Sequence, residues 1–337
     1  MNNERIQLGH GSGGRMMNEL IHDLFRRRFS NPQLNALDDG AILPEPGGRL
    51  AFATDSFVVD PLFFPGGNIG DLAVNGTIND LCMCGSRPLW LSAGFIIEEG
   101  LACSDLEIIV GAMAAAAAAA QVRIVTGDTK VVERGKADRL FINTSGIGVI
   151  SHNPAPGSCR IEPGDRLILS GTLGDHGIAV LSQRSHLGFS TPLQSDTAPL
   201  HELTARLLEA CGGGVHAMRD PTRGGLAALC NEFARSAGVE IRLDETALPV
   251  RPEVAAACEL LGLDPLYIAN EGKLVAAVAA DAAERALEAL KSHPLGREAA
   301  VIGEVRKGEA GLVAMRTILG GWRVVDLPAG ELLPRIC

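Results

Sequence analysis

Apolar residues along the first half of the chain fall into two spacings. Met17, Leu20, Ile21, Leu24 and Phe25 recur at helical intervals, which predicts a helix over Met16–Phe29 that Asn31-Pro32 ends. Leu50–Thr54 and Phe57–Val59 read as strands on either side of Asp55-Ser56. A helix is expected over Asp71–Met83, a buried strand over Leu91–Ile97, and a helix over Asp105–Gln121 whose alanine run allows close packing on a sheet. Val122–Val125 is expected to be a strand that ends in Thr126-Gly127-Asp128. Leu140–Ile150 reads as a long strand in which Gly146 and Gly148 signal bulges or close backbone approach.

The segment Ser151–Pro163 holds three prolines and marks a domain boundary. Beyond it the pattern predicts strand Arg166–Ser170, helices Gly177–Arg184, Leu200–Cys211 and Gly224–Ala237, and strand Val239–Leu243. Helix Glu253–Leu260, strand Lys273–Ala279, helix Asp281–Lys291 and strand Ala300–Val305 follow. Mixed elements in both halves define an α/β (α+β) chain. Its expected units are residues 1–155, residues 156–325, and an extended, flexible tail over 326–337 that carries Pro328, Gly330 and Pro334.

A chain of 337 residues with 46% hydrophobic and 21% charged residues is globular rather than disordered. Forty glycines and few aromatics imply a core of Ala, Val, Leu and Ile threaded by tight turns. The net charge of −10 argues against a nucleic-acid-binding face and against an anionic membrane surface. No apolar run approaches a membrane span, and the polar start Met1-Asn2-Asn3 lacks a signal-peptide pattern, so a cytoplasmic protein is expected. Eight scattered cysteines do not form a disulfide framework. Only five of the 30 basic residues are lysines, which singles out any lysine inside a motif.

Aspartates cluster beside Gly, Thr and Asn: Asp38-Asp39-Gly40, Thr54-Asp55-Ser56, Asn79-Asp80 and Thr126-Gly127-Asp128-Thr129-Lys130. Carboxylates converging from several elements hold Mg²⁺ against a polyphosphate. The same dipeptides also serve as ordinary turn chemistry. The loop His10–Arg15 suits phosphate at a helix start, and equally reads as a simple turn. Asp220-Pro221-Thr222-Arg223 reads as an N-cap and turn, Asn270-Glu271-Gly272-Lys273 as a charged turn before a strand, and His176 as a ligand or acid or, more commonly for a lone loop histidine, as a side chain in solvent. Cys82 and Cys84 read as small packing residues at a helix end. Cys337, on an extended and exposed tail, reads as a carrier or nucleophile, or simply as the last residue.

With these pieces in place, the chain resembles the HypE family of carbamoyl dehydratases. That family lies within the ATP-binding superfamily of aminoimidazole ribonucleotide synthetase, selenophosphate synthetase and thiamine-monophosphate kinase. The resemblance is nearly end to end. It rests on His10–Arg15, Asp38–Ala41, Thr54–Ser56, Asn75–Asp80, Val125–Lys130, Gly171–Gly177, Asp220–Gly225, Ala269–Lys273 and, most specifically, Pro334-Arg335-Ile336-Cys337. The resemblance implies a homodimer whose N-terminal domains share a β-barrel, with ATP at that interface. It implies Asp38, Asp39, Asp55, Asp80 and Asp128, with Asn79 and Gly127, as nucleotide-side residues, and Asp39, Asp55, Asp80 and Asp128 as Mg²⁺ ligands. It further implies that Cys337 carries a thiocarboxamide installed by the carbamoyltransferase HypF. ATP-dependent dehydration then gives a thiocyanate, and the cyano group passes to iron on a HypC–HypD complex. Glu271 is the expected base, and Lys130 the expected partner of the transferred phosphoryl group or of the substrate. A sister kinase or synthetase, or a non-catalytic ATP-dependent scaffold, are the competing readings. The family more often has small or aliphatic residues at Cys82 and Cys84, which are left as structural.

Overall fold

The computed structural model describes residues 4–184, 189–327, 330 and 335–337. Four long strands form the first sheet: β1 (Arg49–Phe57), β2 (Ser86–Glu98), β3 (Arg123–Val132) and β4 (Leu140–Ile150), in the order β1-β4-β2-β3. Only β2 and β3 run parallel, and the helix α2 (Cys103–Ala119) makes the crossover such a pair requires. With α1 (Ile69–Met83), α2 covers one face of the sheet. The two helices touch at Gly70, where an added Cβ would lie 2.3 Å from the Ile109 carbonyl oxygen. Gly146 likewise lets the sheet approach α1, since a Cβ there would meet Leu91 and Leu81 at 2.7 and 2.8 Å.

The second sheet has seven shorter strands: β5 (Arg166–Leu169), β6 (Val215–Arg219), β7 (Glu240–Asp244), β8 (Val275–Val278), β9 (Ala300–Arg306), β10 (Val313–Arg316) and β11 (Trp322–Val324), in the order β11-β10-β7-β9-β5-β8-β6. Around it lie α3 (Asp175–Ser182), α4 (His201–Cys211), α5 (Gly225–Ala237), α6 (Pro252–Leu261) and α7 (Ala283–Lys291). One apolar core runs unbroken from Phe57, Leu72 and Ile78 in the first half to Ile168, Leu203 and Leu274 in the second, so the halves are welded rather than linked. A second core lies between the other face of the large sheet and α5.

Three features depart from the pattern read in the sequence. Asp55-Ser56 does not interrupt a strand: β1 runs through it, paired with Thr144 and Asn143. Thr126–Lys130 is not a strand end but the middle of β3, after a bulge opposite Leu91 and Ser92. The strands β6, β10 and β11 were not anticipated. Each is five residues or fewer. The expected flexible tail is docked where it is described. Ile336 is 3% exposed and belongs to the shared core, because its side chain has apolar surface to bury. Residues 328, 329 and 331–334, Pro334 among them, lie outside the described residues. Among the described residues no helix is long and apolar enough to cross a membrane.

Candidate active site at the junction of the two halves

Four carboxyls meet where the halves join. Asp55 lies on the helix-covered face of β1 and looks toward Gly76 of α1, where an added Cβ would sit 4.0 Å from Oδ2. Asp80 follows one turn later on α1. From the other half come Asp220, just after β6, and Glu271, in the turn before β8. Burial pushes the Asp80 carboxyl up to about 7, and repulsion from Asp220 and Asp55 adds to this against the pull of Arg219 and Arg223. Burial likewise raises Asp220 to about 6 and raises Asp55. Glu271 is raised well above its ordinary value by burial, then by the charges of Asp220, Asp196, Asp55 and Asp80. Its Oε1 is buried and has no hydrogen-bond partner, an orphan that a substrate group can satisfy. Arg223 reaches the cluster from the turn before α5, with Nη2 3.4 Å from Asp55 Oδ1.

The chain end enters this cluster. The Val58 N–H donates to the Cys337 carbonyl at 3.2 Å, and the Asp60 N–H to that of Arg335 at 3.1 Å. Arg335 returns a bond from Nε to the Val58 carbonyl at 3.0 Å and pairs with Asp138. Cys337 is thus half-buried, not exposed as expected. Burial raises its thiol far above the ordinary range, and the charges of Glu271, Asp55 and Asp220 raise it further against the pull of Arg223. Docked in this way, Cys337 is a thiol rather than a nucleophilic thiolate.

Glu271 is held by its backbone. Asn79 donates to its carbonyl at 2.9 Å, and Asp196 accepts from its N–H at 3.1 Å. Asn79 also donates to the Ala198 carbonyl at 3.1 Å and accepts from the Leu200 N–H at 2.8 Å. Its amide is therefore spent on bracing the junction and is not presented to a nucleotide, a correction to the expected role. Asp196 pairs at 2.9 Å with Lys273, and both are buried. His176, expected in solvent, is 0% exposed and opens α3.

The remaining predicted residues stand elsewhere in the chain. Asp128 and Lys130 lie on the open face of the first sheet, paired at 3.0 Å, in the row Ser56–Asn143–Gly94–Asp128. Their strand is the far edge from β1, three strand spacings or roughly 14 Å from Asp55. Within one chain Lys130 therefore does not reach Cys337. Gly127 packs its backbone on Ala93, whose carbonyl oxygen would be 2.3 Å from an added Cβ. Asp38, Gly40, Gly127 and Asp128 line a cavity of about 200 Å³ between β3 and the N-terminal helical segment, with Phe25, Phe29 and Phe95 as its apolar wall. Asp39 is exposed beside it. Sequence reasoning missed Asp220, Arg223 and Asp196 as site residues. The first two sat in plain view in Asp220-Pro221-Thr222-Arg223, whose turn chemistry concealed them.

Two welded α/β halves with a carboxyl cluster at their seam define an AIR-synthase-related protein. The family description "AIR synthase related protein, N-terminal domain" matches residues 37–150, and its "C-terminal domain" counterpart matches residues 162–314. The carbamoyl dehydratase HypE of Bradyrhizobium diazoefficiens is 55% identical over 332 residues, covering 98% of this chain and 96% of its own length. A crystal structure of the hydrogenase maturation protein HypE in complex with ATP superposes with a TM-score of 0.94 at 50% identity, covering 98% of this chain and 99% of that one. A HypE–HypF complex matches with a TM-score of 0.81 at 50% identity, covering 92% and 99%. The chain belongs to the HypE family.

Proposed function

We propose that the chain is an ATP-dependent carbamoyl dehydratase whose substrate is a thiocarboxamide carried on its own Cys337. The product, a thiocyanate, supplies the cyanide ligand of a hydrogenase active-site iron. The observation that carries this reading is the docking of the Cys337 end onto Val58 and Asp60, in the same charged junction as the orphaned, buried carboxyl of Glu271. Its relatives are named for that activity, and one of them is described with ATP bound.

The chemistry follows from the residues. An amide oxygen leaves poorly. Attack of that oxygen on the γ-phosphorus of ATP, with loss of ADP, turns it into a phosphate leaving group. Removal of the two N–H protons and cleavage of the C–O bond leave the C≡N group on sulfur and release phosphate. Glu271 is the base we assign. Burial makes it strongly basic once ionised, and its Oε1 has no hydrogen-bond partner of its own. Asp55 and Asp80 would hold Mg²⁺ with Asp220 beside them. Asp220 and Asp55 repel the Asp80 carboxylate, and a hard cation would relieve that repulsion. Magnesium bound there supplies charge neutralisation for phosphoryl transfer.

Asp38, Asp39, Asp128, Gly127 and Lys130 serve the nucleotide from the far edge of the sheet, which we assign to the same site across a homodimer. The open sheet face supports a second copy as its cover, because Leu50, Phe52 and Ile96 are 58%, 70% and 45% exposed on it. In this reading residues 1–155 bind ATP and dimerise, 156–325 supply Glu271, and 326–337 carry the cargo. HypF is the loading partner, as the described complex of a relative supports. A HypC–HypD complex is the acceptor, reached when the tail leaves its buried seat. The cytoplasm is the compartment, consistent with eight unpaired cysteines.

Intact mass of the C-terminal peptide tests the reading. With the carbamoyltransferase it gains one carboxamide, and with ATP it then loses one water. Cys337→Ser acquires neither change yet still binds ATP. Adducts on Cys82 or Cys84, or ATP turnover that ignores the loaded tail, would return the small-molecule kinase reading.

A further inference from the structure

The Ile336 carbonyl lies 2.9 Å from Nε2 of His176, while the Cys337 carbonyl accepts from Val58. These contacts flank the Cα that carries the thiol, and they come from opposite halves of the molecule. A carbonyl only accepts, so Nε2 must carry the ring proton. Nδ1 then offers a lone pair, and the Ser195 hydroxyl, 2.7 Å away, donates to it. Ser195 Oγ itself accepts from the Thr197 N–H at 3.1 Å, which leaves its single proton for the ring. The other neutral tautomer would set two lone pairs against each other at Ile336. Burial lowers the imidazole below its ordinary value, against Asp196 and the Ile336 carbonyl, so the ring is neutral at physiological pH. The Phe64 ring packs edge-on against it at 5.5 Å and blocks its exit.

We propose that His176, fixed as the Nε2–H tautomer by Ser195, is a positioning residue that sets the register of the chain end so that the group on Cys337 faces Glu271. This rests on the reading of Cys337 as substrate carrier. Val58 and Asp60 bind alternate carbonyls of the chain end, in the rhythm of a strand ladder, so a slip of one residue would turn the Cys337 side chain to the opposite side. Without the latch the cargo would swing away from the carboxyl while the nucleotide site stayed whole. Its loss therefore shows in the rate of dehydration and not in ATP affinity.

The test uses the full-length protein, unloaded and carbamoylated. In unloaded His176→Ala, iodoacetamide alkylation of Cys337, read on the C-terminal peptide, speeds up about tenfold, the worth of one buried hydrogen bond. In the loaded variant single-turnover dehydration slows about tenfold, with the ATP Kd unchanged. His176→Gln, whose amide N–H can reach the same carbonyl, recovers most of both losses. Alkylation of His176→Ala at the wild-type rate would overturn the proposal. So would a folded Gln variant as impaired as the Ala variant. If His176→Ala does not fold, Ser195→Ala carries the test, and wild-type alkylation there overturns the latch equally. If loaded wild-type protein loses no water with ATP, the carrier reading fails, while the alkylation comparison still decides whether His176 holds the chain end.

Discussion

Asn79 donates its side-chain amide to the backbone carbonyl of Glu271 at 2.9 Å, tying the last turns of α1 to the turn that carries the buried carboxyl. The same amide grips Ala198 and Leu200 in the connecting segment. One side chain of the first half therefore fixes three backbone groups of the second, that of Glu271 among them.

Replacing Asn79 with Ala removes all three bonds and leaves buried backbone groups unpaired. At about 1–3 kcal/mol for each such group, the variant should lose about 3 kcal/mol of stability in urea unfolding. Dehydration should fall more steeply than ATP binding. Unchanged unfolding would show that the brace is dispensable.

The Asp80 carboxyl, at about 7 in the folded chain, stands well above its ordinary value near 4. Between those values the folded chain keeps a proton that the unfolded chain has lost. This contribution to stability is complete at low pH and fades as pH rises through 7. Metal-free protein should melt at lower temperature at about pH 8 than at about pH 5.5. Asp80→Asn should flatten that slope, and Mg²⁺ should restore the alkaline Tm of the wild type. Equal slopes for wild type and variant would show that Asp80 does not titrate in this range.

Phe52 is 70% exposed on the open face of the first sheet. Phe52→Glu should yield a monomer by sedimentation with an unchanged circular dichroism spectrum, and dehydration should be lost along with the dimer. A monomeric variant with full activity would place the nucleotide site within one chain.

Lys273 and Asp196 form a buried pair behind Glu271. Burial works to raise Asp196, and Lys273 overcomes it, so the carboxyl sits below its ordinary value. Lys273→Met should cost about 3–5 kcal/mol by stranding that charge, and adding Asp196→Leu should recover much of the loss. A double variant no better than the single would show that the cost lies in packing alone.

Helices were legible because their apolar spacing is local: α1 and α2 begin within two residues of where the pattern starts them. Asp55-Ser56 and Thr126–Lys130 misled because runs of small polar residues, with Gly127 in the second, imitate a turn, when in fact they occupy paired strands. The carboxyls were legible as a type but not as a place. Nothing local separates Asp80, at the seam, from Asp128, on the opposite face of the sheet at its far edge. Asp220 was hidden by its own turn motif. The chain end looked free because the groups that hold it, Val58, His176 and Asp138, are remote in sequence. Apolar Ile336 was a local hint of burial.

The docked end has a kinetic meaning. Tyr267 holds the Asp326 carbonyl at 2.9 Å, and Val58 and Asp138 hold Arg335, so eight residues, 327–334, span two fixed points. Eight residues of chain reach at most about 30 Å. A cargo on its end would meet the Glu271 carboxyl at an effective concentration on the order of millimolar, whatever the amount of protein in the cell. Dilution would not slow the step, and a free small-molecule mimic of the cargo would compete poorly with it. Throughput would then depend on how often a partner reloads the sulfur, which turns the enzyme into a one-shot device paced from outside.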